Sequence, residues 1–207
     1  KGFVFDAALN ELRPSYVFKY SYQDSPLATE VIRLELPSGE KTSRQIYEYD
    51  DEGLKTSYLY QLWEETGWSD FMLTQYEYDS QGHLITEMFS RLDQSGQWAQ
   101  YQRHLYEYDQ SGNLTFYLRQ MNYSNVWTDF SQVYYIRTGN LVTERYEVRV
   151  ADNTVIWKEL YVYDNGGILA ERFRRDLKYD AVTNTFNMIN SEHRRFFYDI
   201  YGDVSYV

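Results

Sequence analysis

Thirty-one acidic side chains, three histidines, five tryptophans and a knot of arginines are the groups of this 207-residue chain that could do chemistry, and their spacing decides how far each can be taken. His83, His104 and His193 show none of the paired spacing by which a helix presents two imidazoles to one metal, and are read as strand or turn residues. Asp50, Asp79, Asp109 and Asp164 recur at regular intervals, and Asp50-Asp51-Glu52 are adjacent. A calcium loop, however, needs several oxygen ligands at alternating positions around one ion, whereas an aspartate followed three residues later by glycine is the grammar of a turn. With no cysteine there is no thiolate nucleophile, disulfide or thiolate metal site. Nucleophile elbows, phosphate-cradling glycine loops and dinucleotide fingerprints are also missing. Carboxylate pairs for glycoside hydrolysis are set by spatial separation, and the sequence selects no pair. No catalytic, cofactor-binding or metal residue is therefore assigned.

Two groups remain as candidates for binding. Trp63 and Trp157 fall off the regular tryptophan positions, Trp68, Trp98 and Trp127, which are read as cross-strand packing; an off-pattern indole on a sheet suits stacking against a sugar ring. Arg172, Arg174, Arg175, Lys178, Arg194 and Arg195 form a local basic cluster in a chain of net charge −11. Its ordinary role is cross-strand pairing with neighbouring acids, and its other role an anion or partner site. The candidate ligand surface is accordingly Trp63, Trp157, Arg172, Arg174 and Arg194.

The elements that must position these residues announce themselves in a repeat. Tyr-Glu-Tyr-Asp, then a short turn closed by glycine, occurs at Tyr47–Asp50 with Gly53, Tyr76–Asp79 with Gly82 and Tyr106–Asp109 with Gly112, and more loosely at Tyr161–Asp164 with Gly167. Anchoring each copy on its first aromatic position gives 20, 47, 76, 106, 133, 161 and 196, with Val133 and Phe196 in place of tyrosine. The intervals are 27, 29, 30, 27, 28 and 35 residues, the period of stacked supersecondary units, and the long last one implies an insertion within Asp180–Asn190.

Tyrosines two apart point to one face of a strand. The aspartate opens a turn by accepting a backbone N–H, and the glycine supplies the left-handed residue that returns the chain as a hairpin. Second turns follow at Pro37-Ser38-Gly39, Glu65-Thr66-Gly67 and Asp93–Gly96, so each repeat holds two strands and two turns. The fold expected is a single all-β domain over residues 1–207, with 1–19 as an edge strand or irregular lead-in. It is an antiparallel meander of about a dozen strands, either a curled or open sheet or one closed as a barrel or sandwich. An outer-membrane barrel would need one uniformly apolar face, which Lys55, Glu87, Arg103, His104 and Arg119 spoil. Aromatic residues make up 19% of the chain, a composition that suits half-wet pleated surfaces.

The acidic balance excludes nucleic acid and anionic membrane as partners, since both need a basic footprint. No segment approaches eighteen consecutive apolar residues and no leader opens the chain, as expected of a cytosolic protein or of a mature form without its leader.

Tyr-x-Tyr-Asp-x-x-Gly-x-Leu resembles the YD repeat of Rhs-type cell-surface and toxin-shell proteins. The longer unit with tryptophan after the second turn resembles the Tyr/Trp-rich repeat proteins exported by Bacteroidetes-type bacteria. The resemblance implies a secreted, periplasmic or outer-surface β protein and carries over no catalytic residue. Together these readings predict a non-enzymatic structural or interaction module whose partner is a protein or a glycan at the cell envelope. The rival expectations are a carbohydrate-binding module built on exposed Trp and Tyr, and a glycan-acting hydrolase.

Overall fold

The computed structural model describes residues 2–6, 11–22, 26–36, 38–180, 183, 185–198 and 204–206. Among them the chain is all-β, and fifteen strands follow one another in the sheet in the order in which they occur in the sequence. That order does not return to its start, so of the closed and open alternatives it is the open meander that forms.

Contacts divide the chain into two units, Lys1–Arg103 and His104–Val207. The first holds β1 (Gly2–Asp6), β2 (Glu11–Ser21), β3 (Glu30–Glu35), β4 (Lys41–Tyr49), β5 (Lys55–Glu64), β6 (Gly67–Tyr78), β7 (Leu84–Leu92) and the start of β8 (Trp98–Tyr108). The second holds the rest of β8, β9 (Leu114–Tyr123), β10 (Val126–Thr138), β11 (Leu141–Arg149), β12 (Thr154–Tyr163), β13 (Leu169–Asp180), β14 (Thr185–Tyr198) and β15 (Val204–Tyr206). The expected lead-in contains β1 paired antiparallel with β2.

The repeated turn is built as its residue types require. Asp50, Asp79, Asp93, Asp109 and Asp164 each use Oδ1 to accept the N–H groups two and four residues on. The glycine three residues on sits at φ +76 to +82° and donates its N–H to the aspartate carbonyl. Any L-residue is strained there. Asp93–Gly96, expected as a second turn of the repeat, has the same construction. Asp199 and Gly202, which repeat the Asp-x-x-Gly spacing, lie outside the described residues, as does Pro37.

Four outgoing strands carry one extra residue just past their turns: Thr56 where Glu48 pairs Ser57 and Tyr49 pairs Lys55, Ile85 opposite Glu77 and Tyr78, Thr143 opposite Ile136 and Arg137, Ala170 opposite Val162 and Tyr163. A bulge kinks and twists its strand locally. Here it accompanies a second regularity, because the aromatic residue beside it reaches back over one hairpin. Tyr49 Oη donates to Ala28 O at 3.1 Å, Tyr78 Oη to Lys55 O at 2.9 Å and Tyr163 Oη to Val142 O at 2.7 Å. In the fifth copy Arg137 takes this role, donating to Leu114 O at 3.4 Å. Its partner position is thus Tyr135, which pairs Arg145 as Tyr47 pairs Tyr58, and the repeat is in register at Tyr135 rather than at Val133. These tethers join each repeat to the one before it. Tyr78→Phe, which removes one hydroxyl and leaves a carbonyl short of a donor, is expected to lower stability by about 1 kcal/mol, read as a lower urea midpoint at unchanged slope.

The long last interval is absorbed by strand length. β13 and β14 run to 12 and 14 residues and pair from Glu171–Arg195 to Asp180–Thr185.

Little of either unit is a buried apolar core. Among the described residues the buried apolar side chains are Val31, Leu34, Val133 and Val148, while Ser43, Gln61, Thr74, Ser90, Ser131, Glu147 and Glu159 are buried and polar. The rest of the packing is side by side along the ladders, with ring centroids 5.4 Å apart for Tyr47–Tyr58, 5.5 Å for Tyr106–Tyr117 and 5.2 Å for Tyr134–Tyr146. Cross-strand pairs of this kind contribute a few tenths to about 1 kcal/mol each, and a sheet with little core depends on their sum. Burial holds the Tyr58 and Tyr76 hydroxyls at pKa values of about 12, so these rings stay neutral in any ordinary buffer.

Candidate functional site

In the first unit Trp63 and Trp68 face each other across β5 and β6, with centroids 5.0 Å apart and planes at 77°. Lys41 Nζ lies 4.7 Å from the Trp63 ring centre and 5.9 Å from that of Trp68, and the Arg44 guanidinium covers Trp68 at 4.8 Å. Arg44 is itself oriented by Gln61 and by Glu30, and Gln61 donates on to Asp70. Trp68 is therefore gripped, whereas Trp63 is 38% exposed and lines a groove of about 960 Å³.

On the same strands Ile46 pairs Leu59 and Leu59 pairs Leu73, an apolar strip across β4, β5 and β6. With Trp98 these residues floor a shallow hollow of about 280 Å³, rimmed by Glu48, Ser57, Asp70 and Gln75. Trp98, at a regular position of the repeat, is as exposed as Trp63, at 37%.

In the second unit the register brings Trp157, Arg172, Arg174 and Arg194 onto one face, because Glu147 pairs Trp157, Glu159 pairs Arg174, Tyr161 pairs Arg172 and Arg172 pairs Arg194. The Trp157 indole N–H donates to Glu147 Oε2, and guanidinium groups stand over its ring at 5.1 Å (Arg145) and 5.0 Å (Arg174). Arg174 also pairs with Asp176 and Glu159, and Glu192 takes both Arg172 and Arg194. Arg172, Arg174 and Arg194 are thus all in ion pairs here, Arg175 donates to Asn190 Oδ1 instead, and Trp157 has its donor satisfied and its ring flanked by charge. Trp63 belongs to the other unit.

The sequence reading missed the centre of this network. Glu159, with 2% of its side chain exposed, accepts from Arg145 at 2.7 Å, Arg174 at 3.2 Å and the Tyr161 hydroxyl at 2.6 Å. Burial pushes its pKa up, but the Tyr161 hydroxyl and Arg145 outweigh burial and hold it below the usual carboxylate value. A legible signal existed: Arg145 and Glu147, Trp157 and Glu159, and Arg172, Arg174 and Asp176 sit two apart, the spacing of one strand face.

The histidines hold local roles. His83 Nδ1 lies 3.0 Å from Asp79 Oδ2 in its own turn, His104 packs 5.6 Å from the Tyr117 ring, and His193 stacks on Phe173 at 4.2 Å beside Glu171. Among the described residues no three His, Asp or Glu side chains converge as a metal site. Nor is any helix long and apolar enough to cross a membrane, a statement that does not touch strands.

No family model and no curated protein matches the chain. Solved structures with similar strand arrangement include a protein of unknown function from Bacteroides fragilis, 16% identical, covering 60% of this chain and 91% of that one at a TM-score of 0.45. A DUF3836 family protein from Parabacteroides distasonis is 22% identical over 42% of this chain and 88% of its own, at 0.31. A TcdB2–TccC3–Cdc42 structure matches 91% of this chain but 12% of its own, at 14% identity and 0.30. At such identities and scores nothing about activity follows.

Proposed function

We propose that the chain is a non-enzymatic repeat module that holds a protein partner at the bacterial envelope or outside the cell. The observation that carries the reading is the Ile46–Leu59–Leu73 strip with Trp98, an apolar centre ringed by polar and acidic groups. That is the anatomy of a protein–protein contact rather than of a catalytic cleft. Glu48 and Asp70 on its rim ask for a partner whose apolar projection is flanked by basic side chains. The placement at the envelope rests on the resemblance of the Tyr-x-Tyr-Asp repeat to exported and surface proteins.

The test is a photo-reactive phenylalanine analogue at Leu59, incubated with an envelope fraction of the source cells. One discrete protein adduct is expected, and Leu73→Glu in the same chain is expected to abolish it while the circular dichroism spectrum stays unchanged. No adduct, or an adduct indifferent to Leu73→Glu, would contradict the reading.

A further inference from the structure

The Trp63 groove lies towards the turn end of β5 and β6 and is lined by side chains other than those of the apolar strip. Its walls are Glu40, Lys41, Trp63, Glu64, Glu65 and Thr66. Glu64 pairs Gly67 across a two-residue turn, so Glu65 and Thr66 stand at the tip of the hairpin, one pair beyond Trp63–Trp68. Neither Lys41 nor the three glutamates makes an ion pair among the described residues, in contrast to the arginine face of the second unit.

From this geometry we infer that the groove is a subsite for one or two pyranose rings of a neutral glycan, stacked on Trp63. Several features specify that ligand. An indole packed at 77° against a neighbouring indole is a rigid platform, and the apolar face of a pyranose matches such a ring at little entropic cost. Carboxylates on Glu40, Glu64 and Glu65 accept from vicinal hydroxyls, while the Lys41 ammonium and Thr66 hydroxyl donate, so both halves of a diol find partners. Lys41 is exposed and rests over the ring it would share. A sugar taking that ring face leaves the ammonium beside its edge as a donor. Three carboxylates against one ammonium give the groove a surplus of negative charge, which rejects uronates, sulfated glycans and nucleic acid. The volume, about 960 Å³, exceeds one ring and is open enough for a chain to continue past it.

The experiment is titration of the intact protein with cello-, manno- and xylo-hexaose and with polygalacturonate, followed by tryptophan emission and by calorimetry. Saturable binding of at least one neutral hexaose is expected, with polygalacturonate inert. Trp63→Ala is expected to weaken binding at least about tenfold, the loss of roughly one stacked ring, with Trp63→Phe intermediate. Thr66→Ala and Glu65→Gln at the hairpin tip are expected to weaken it several-fold without changing the fold, so the test survives a Trp63→Ala chain that folds poorly. Trp157→Ala and Leu73→Glu are expected to leave it unchanged, which separates this subsite from the arginine face and from the protein-binding strip. Absence of binding by all three neutral hexaoses, equal binding of polygalacturonate, or binding indifferent to the substitutions at Trp63, Glu65 and Thr66 would overturn the inference.

Discussion

Glu159→Ala is expected to lower the unfolding free energy by about 3 kcal/mol, measured by urea denaturation, with the loss concentrated in the amide-exchange protection of β11, β12 and β13. The carboxylate is almost wholly buried and serves Arg145, Arg174 and Tyr161 at once. Removing it leaves Arg145 without its carboxylate and the Tyr161 hydroxyl without its acceptor, while Arg174 keeps Asp176, and breaking a buried pair typically costs about 3–5 kcal/mol. The guanidiniums retain roughly a third of their exposure, at 32% each, which puts the expected cost at the lower end. Glu159→Gln keeps an acceptor and is expected to lose less. The sign with pH follows from the depressed pKa. A carboxylate held below its unfolded value near 4.3 contributes fully above that pH and loses its contribution as pH falls through the folded value. Asp79 and Asp109 shift in the same direction, led by the backbone N–H groups of His83 and Asn113, and so does Asp93, led by the Ser95 hydroxyl. The wild-type chain should therefore lose stability below about pH 4, and the gap between it and Glu159→Ala should narrow there.

Val133→Asp is expected to cost about 3–5 kcal/mol, against about 2 kcal/mol for Val133→Ala. Val133 is 0% exposed and pairs with Tyr117 on one side and Glu147 on the other. Its strand neighbour Ser131 is equally buried, and Glu147 is 7% exposed. A new carboxylate would be desolvated directly opposite an existing one, and Arg119, which pairs Ser131 on the neighbouring strand, is already committed to Glu147 and Ser131. The readouts are the urea midpoint and the near-ultraviolet circular dichroism. A midpoint shift no larger than that of Val133→Ala would show that water reaches this position.

What the sequence made legible was local. Asp79 and Gly82 specify their turn by residue type alone, since only glycine takes φ +82° without strain and only a short carboxylate reaches back to two N–H groups. The alternation in Tyr47–Tyr49 gave strand and face. Relations between strands were not legible. Tyr78 donates to Lys55, 23 residues earlier, beside a bulge at Ile85, and a bulge has no residue signature. For the same reason the fifth copy is in register at Tyr135 and Arg137, where an arginine mimics the tyrosine tether. Arginine and glutamate types on β11–β14 announced ion pairs, but which acid took which base depended on register. Trp157, off the repeat pattern and so a candidate for sugar, is held between two cations for that reason. Trp63 is exposed because it sits at a hairpin end, a position the turn Glu65-Thr66-Gly67 did disclose.

Strand order that follows chain order has a consequence for how the molecule acquires its structure. Every ladder joins strands that are consecutive in the sequence, so the stretch that must close before any pairing is gained is short and its entropic cost is small. Mean contact separation is low for an all-β protein, and such chains fold faster than sandwiches of equal size. Each hairpin can act as a nucleus from which pairing spreads in both directions, with the Tyr49, Tyr78 and Tyr163 tethers locking each addition to the last. Emerging from a ribosome or a translocation pore, the sheet can lengthen one repeat at a time, with no early strand waiting for a late partner.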